Sequence, residues 1–160
     1  PMLTSLHVPP FRLLTEAIAR ADVPWVHFTV PSHSQRLCWP SIPDRRMTVA
    51  WNGIDIARWP FRSAGNGRAV WFGRITPNKG TVEALCAASA AGIGLDVIGP
   101  VECSDYFAEV QRHLVGEHRY LGQLSGAALA NAVGAASVMV ATPMWDEPFG
   151  LTLAEAMACG

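Results

Sequence analysis

Two glutamates near the end of the chain, Glu147 and Glu155, lie eight positions apart in Met144-Trp145-Asp146-Glu147-Pro148-Phe149-Gly150-Leu151-Thr152-Leu153-Ala154-Glu155-Ala156-Met157-Ala158-Cys159-Gly160. Pro148 and Gly150 break regular structure, and the run Leu151 to Met157 is predicted helical because Leu, Ala, Glu and Met favour a helix. The unpaired N–H groups of such a helix start attract phosphate, and carboxylates before and within it accept hydrogen bonds from hydroxyls. A sugar joined to a diphosphate and a ribose presents that order of groups. Lys79 is the second signal. It is the single lysine among twelve basic residues and sits in Gly73-Arg74-Ile75-Thr76-Pro77-Asn78-Lys79-Gly80, directly after the apolar run Ala69-Val70-Trp71-Phe72. The planar fork of Arg74 and the mobile point charge of Lys79 suit the several oxygens of a diphosphate. The plain alternative is a pair of solvated loop charges. For Glu155 it is a helix-start carboxylate favoured by the macrodipole.

Other phosphate motifs fail on spacing. A nucleotide-triphosphate loop needs glycine before lysine and a hydroxyl after it, whereas Gly80 follows Lys79 and Pro77 stiffens the loop. No glycine triplet opens a helix after a strand, as a dinucleotide fingerprint requires. Gly65-Asn66-Gly67 precedes a strand and reads as a turn.

The elements that must position these residues alternate. Strands are predicted at Ala69–Gly73, Leu95–Gly99, Tyr120–Gly122 and Ser137–Pro143, with helices at Thr81–Ala91, Ser104–Val115 and Gly126–Ala135. Near-continuous apolar strands separated by helices indicate an α/β, doubly wound Rossmann-like parallel sheet covered on both faces. Ligands of such sheets bind beyond the carboxyl ends of the strands, which here lead into Arg74–Lys79, Gly99-Pro100, Leu121–Leu124 and Trp145–Gly150. Before them come a strand at Met2–Leu6, a helix at Phe11–Arg20, and strands at Trp25–Val30 and Met47–Ala50, joined by proline-rich turns. That is too little for an independent domain. Trp71 and Trp145 fit either core or cleft, Trp145 being the better cleft candidate beside Asp146 and Glu147.

Composition narrows the function classes. Of 160 residues, 50% are hydrophobic and the formal net charge is −1, so a core is affordable and no basic stripe exists for nucleic acid. No apolar run approaches a membrane span. Cys38, Cys86, Cys103 and Cys159 have neither zinc nor disulfide spacing, which favours reduced thiols and a cytoplasmic location. Cys86 and Cys159 fall in Ala-rich helical runs and are expected to be buried. His27, His33, His113 and His118 share no ligand spacing, and no metal site is predicted.

Taken in order, GRITPNKG, LDVIGP, YLGQL and EPFGLTLAEAMACG resemble the donor-binding half of the retaining glycosyltransferases of family four, enzymes with two Rossmann-like domains and a cleft between them, the GT-B fold. The resemblance covers roughly Val49 to Gly160. It implies a partial acceptor-side domain and junction over 1–57, with Asn52-Gly53-Ile54-Asp55 at the join, and a nucleotide-sugar-binding domain over 58–160. On this reading the chain is an internal fragment, truncated at both ends and inactive alone, with an exposed sheet edge open to self-association.

The resemblance also implies roles. Glu155 matches the ribose-binding glutamate and Glu147 the one on donor-sugar hydroxyls. The backbone amides of Phe149, Gly150 and Leu151 face sugar and phosphates. Gly99, Leu121 and Leu124 line the donor site, with Tyr120–Leu124 against the base, although core packing explains Tyr120 and Leu121 equally well. Arg74 and Lys79 act on the leaving diphosphate. His7, after the first strand, is similar to the family's histidine on the acceptor side, its alternative being an exposed loop histidine. The implied reaction moves a hexosyl-type group from a nucleotide-diphosphate sugar to a hydroxyl acceptor with retention of configuration and no essential metal or other cofactor. Two alternatives stay open: a nucleotide-sugar epimerase of the same fold, and a non-catalytic nucleotide-sugar-binding module.

Overall fold

The apolar runs from Ala69 onward form a parallel sheet, as their lack of alternation requires. A computed structural model describes residues 1–20 and 23–160. It divides them into two units: Pro1–Gly53 with Asp146–Gly150, and Ile54–Trp145 with Leu151–Gly160.

The second unit holds β4 (Ala69–Phe72), α3 (Thr81–Ala91), β5 (Leu95–Ile98), α4 (Ser104–His113), β6 (Arg119–Tyr120), α5 (Gly126–Ala135), β7 (Val138–Met139) and α6 (Leu151–Cys159). Its strand order is β6-β5-β4-β7, all parallel. Successive strand residues point to opposite faces, and two cores result. Ala69, Trp71, Leu95 and Val97 pack with Ala84, Leu85 and Val110 of α3 and α4. Val70, Phe72 and Ile98 pack with Val133 of α5 and Cys159 of α6. Helices therefore cover both faces. At about 25 cal/mol per Å² of buried apolar surface, these two clusters are the main source of this unit's stability.

The ladders are shorter than the sequence predicts. Gly122 turns with φ of 77°, so the strand expected at Tyr120–Gly122 ends at Tyr120 and takes in Arg119 instead. The strand expected at Ser137–Pro143 contracts to Val138–Met139. Backbone bonds from Ser137 N–H to Arg68 O and from Val140 N–H to Val70 O flank it, and Pro143 has no N–H to prolong it. Cys159 is buried, but Cys86 is exposed, contrary to expectation. Its helix buries the stripe Thr81, Ala84, Leu85 and Ala88, and Cys86 lies off that stripe.

The first unit contains β1 (Met2–Ser5), α1 (Arg12–Arg20), β2 (Val26–Val30), α2 (His33–Leu37) and β3 (Met47–Val49), with parallel strand order β1-β2-β3. Leu6, Val26, Phe28, Val30, Trp39, Ile42 and Met47 form its core. Where sequence suggested only proline-rich turns, the short helix α2 appears. Ser32 is its N-cap and accepts a hydrogen bond from Gln35 N–H. Ser32-x-x-Gln35 has the spacing of a capping box, a signal present in the sequence and overlooked.

Candidate functional site

The segment after β4 is fastened to the segment after β7. Pro77–Lys79 form a 3-10 turn closed by Gly80 at φ of 68°. A Cβ on Gly80 would lie 1.9 Å from Thr142 O, so only glycine admits this approach. Thr142 Oγ1 donates to Gly80 O at 2.6 Å, and Met144 N–H donates to Asn78 O at 2.9 Å. These bonds bring two residues singled out by sequence together: Lys79 Nζ stands 4.9 Å from the centre of the Trp145 ring, a cation–π contact. Trp71, by contrast, belongs to the core.

The strand after that loop supplies a second close approach. Gly99, buried with φ of 146°, passes so near Gly73 that a Cβ would fall 1.7 Å from Gly73 O. Gly99 N–H donates to Gly122 O at 3.0 Å, and Tyr120 Oη donates to Gly99 O at 2.8 Å. The ends of β4, β5 and β6 are thus held together by a close glycine approach, a backbone bond and the Tyr120 hydroxyl. Arg74 is exposed and paired with Glu102, Nη1 to Oε2 at 2.9 Å. Leu121 is exposed at the end of β6, whereas Leu124 packs against the core cluster containing Val70 and Phe72. Tyr120 packs edge-on against Phe107 at 4.9 Å.

The Glu147 loop belongs to the first unit. Ser32 Oγ donates to Pro148 O at 2.6 Å across 116 positions. The Phe149 ring lies 6.5 Å from Trp51, whose indole meets His33 edge-on at 5.3 Å. Gly150 is buried with φ of 82°. Glu147 is half-buried. His7 is exposed just beyond β1, and the carbonyl of its neighbour Val8 accepts a bond from Gln35 Nε2 at 2.5 Å. The first turn of α2 therefore fastens the chain beside His7 and the chain beside Glu147. Sequence reasoning named neither Ser32, Gln35 nor Trp51, nor the Glu102 partner of Arg74.

Glu155 lies where the sequence placed it, inside α6, with Leu151 exposed at the helix start. Burial alone pushes its carboxyl above the ordinary carboxylate range. No hydrogen bond or cation among the described residues offsets that cost. A half-buried carboxylate without a donor keeps an unmet hydrogen-bonding demand. Elsewhere in this unit, an apolar groove of about 310 Å³ runs along β7, lined by Val70, Val133, Val138, Met139 and Met157. None of the candidate site residues lines it. Among the described residues no three His, Cys, Asp or Glu side chains gather as a metal site, and no helix is long and apolar enough to cross a membrane.

A family model described as glycosyl transferases group 1 matches residues 60–160. Glycogen synthase of Mycobacterium tuberculosis is 31% identical over 125 residues, covering 71% of this chain and 30% of that protein. Phosphatidyl-myo-inositol mannosyltransferase of Mycolicibacterium smegmatis is 34% identical over 121 residues, covering 68% of this chain and 31% of that protein. The chain thus spans about a third of the length of these curated relatives. Among solved structures, a glycosyltransferase involved in avilamycin A biosynthesis, of GT-B fold, superposes with a TM-score of 0.71 at 26% identity, over 81% of this chain and 40% of that one.

Proposed function

From the premise that the chain belongs to the group 1 glycosyl transferases, we propose that the protein carrying it transfers a glycosyl group from a nucleotide-diphosphate sugar to a hydroxyl acceptor with retention at the anomeric carbon. The observation that carries the reading is Glu155, a desolvated carboxylate with no protein donor on a helix entered through Gly150. Ribose hydroxyls supply the missing donors. Glu147, in the loop before that helix, accepts from hydroxyls of the donor sugar. As the bond from the anomeric carbon to the diphosphate breaks, negative charge grows on the leaving oxygens. Lys79 and Arg74 stabilise it, together with the amides that open α6. Lys79 approaches from the stack on Trp145. Arg74 does so by exchanging Glu102 for phosphate, an exchange made easy because the pair is solvent-exposed. His7 stands on the acceptor side.

The test uses the full chain as the cell makes it, with UDP, ADP and GDP and with UDP-glucose, ADP-glucose and GDP-mannose. A ligand that binds the folded state raises the melting temperature by mass action. At least one diphosphate and its sugar are expected to do so. Product analysis with the bound sugar nucleotide then separates the reactions: transfer depends on an added hydroxyl acceptor, whereas an isomerised donor formed without acceptor contradicts the proposal. No shift with any nucleotide contradicts it as well.

A further inference from the structure

We propose that the first turn of α2 is the positioning element of the Glu147 loop, with Ser32 as the residue that sets recognition of the donor's sugar. This rests on the reading of Glu147 given above. Ser32 is buried and its hydroxyl uses its whole hydrogen-bonding capacity, one donor and two acceptors. It donates to Pro148 O at 2.6 Å, accepts from Gln35 N–H at 3.1 Å, and shares a bond of 3.0 Å with Ser34 Oγ. Pro148 has no N–H to anchor the loop from its own side. Its carbonyl and Phe149 against Trp51 are two points of hold.

Gln35 makes the turn a fixed anchor. It is 2% exposed, and its side chain donates to Val8 O at 2.5 Å, next to His7. One turn of helix therefore fastens two chain segments that the function needs in register. Freed from Ser32, the loop samples positions in which the Glu147 carboxylate no longer meets the sugar hydroxyls. Glu155 and Lys79, the proposed nucleotide partners, lie outside the segment that Ser32 holds.

The experiment measures the affinity of the full chain for the diphosphate and sugar nucleotide that give the largest thermal shift in the panel above. Ser32→Ala is expected to weaken the sugar nucleotide about tenfold and the free diphosphate less than about twofold. Ser32→Thr is expected to restore affinity. Ser32→Asp keeps an acceptor for the Gln35 N–H but offers Pro148 no donor, so it should behave as Ser32→Ala does. If Ser32→Ala shows no cooperative melting transition, Trp51→Leu takes its place, with the same selective loss expected. Equal losses for both ligands, or none, while Glu147→Ala remains selective for the sugar nucleotide, overturn the role of Ser32 and leave the reading of Glu147 standing. If Glu147→Ala is itself unselective, or nothing in the panel binds, that reading fails and this proposal fails with it.

Discussion

At the start of the four-stranded sheet, Asp96 of β5 receives Arg68 through Nε and Nη2 at 3.0 and 2.7 Å and Arg119 through Nε and Nη2 at 2.8 and 2.7 Å. In α6 of the same unit, Glu155 receives nothing from the described protein. Burial pushes both carboxyls up, but for Asp96 the bonds from Arg119 and Arg68 outweigh it and hold the group below the ordinary carboxylate range. Glu155 stays raised. A buried charge already answered by its own chain is structural, because removing either partner strands the other. One left unanswered costs stability, and on the proposed reading it is a ligand that answers Glu155. The two carboxylates have the same chemistry, and only their neighbours separate their roles.

The largest effect expected follows from breaking the answered region. Asp96→Asn leaves the largely buried Arg68 with only the longer, exposed pair to Glu117, and should cost about 3 kcal/mol in chemical denaturation at neutral pH. Because the folded value of Asp96 is depressed, its contribution is present above the unfolded value of about 3.9 and is lost as pH falls through the folded value. The deficit of the variant should therefore shrink in strong acid. A deficit independent of pH would mean that packing, not charge, holds this end of the sheet. Gly99→Ala tests the other end without touching charge. Its Cβ would strike Gly73 O at 1.7 Å, and a loss of about 2–3 kcal/mol is expected.

Substitution of the unanswered carboxylate should do the reverse to stability. A raised folded value means the folded chain favours the protonated acid, so the ionised form costs stability at neutral pH and that cost vanishes below about pH 4, where the unfolded carboxyl is also protonated. Glu155→Gln should raise the melting temperature without ligand at pH 7, and the gain should disappear in acid. A lower melting temperature at pH 7 would show that Glu155 has a structural partner after all.

Smaller effects come from the two cations, half-buried Lys79 and exposed Arg74. Lys79→Ala should weaken a nucleoside diphosphate more than the nucleoside, by several-fold, with the difference falling as salt screens the phosphate charge. Equal losses for both ligands would place Lys79 outside the phosphate contact. The Arg74–Glu102 pair is about half exposed on each side, 54% and 43%, so Glu102→Gln should change stability by less than about 1 kcal/mol. It should also tighten diphosphate binding slightly by releasing Arg74. Weaker binding in Glu102→Gln would show that the pair itself is needed at the site.

The helices Thr81–Ala91 and Gly126–Ala135 could be read from sequence to the residue, since a hydroxyl or glycine start and an Ala-rich run specify a helix without help from elsewhere. The class of the second sheet was legible too, from uniformly apolar strands. The strand ends were not, because β7 stops where its pairing with Val70 stops, and pairing is a tertiary fact. Lys79 and Trp145 were each singled out, but their stacking depends on Thr142 meeting Gly80 across 62 positions, which spacing alone cannot show. Likewise the loop of Glu147 was visible as a loop, while its anchor at Ser32 was hidden behind an overlooked N-cap serine. Local chemistry reads from sequence. Partners distant along the chain do not.

The most direct test of the account compares Glu155→Ala and Glu147→Ala by calorimetry, in the full chain, against the same nucleoside diphosphate and its sugar nucleotide. Glu155→Ala should weaken both ligands alike, by roughly ten- to a hundredfold as for loss of a charged hydrogen-bond acceptor. Glu147→Ala should leave the diphosphate nearly unchanged and weaken only the sugar nucleotide, the comparison being read where a matching melting temperature without ligand shows that the loop stays folded. One shared profile for the two variants across both ligands would contradict the division of labour between the carboxylates and reduce Glu155 to a helix-start charge.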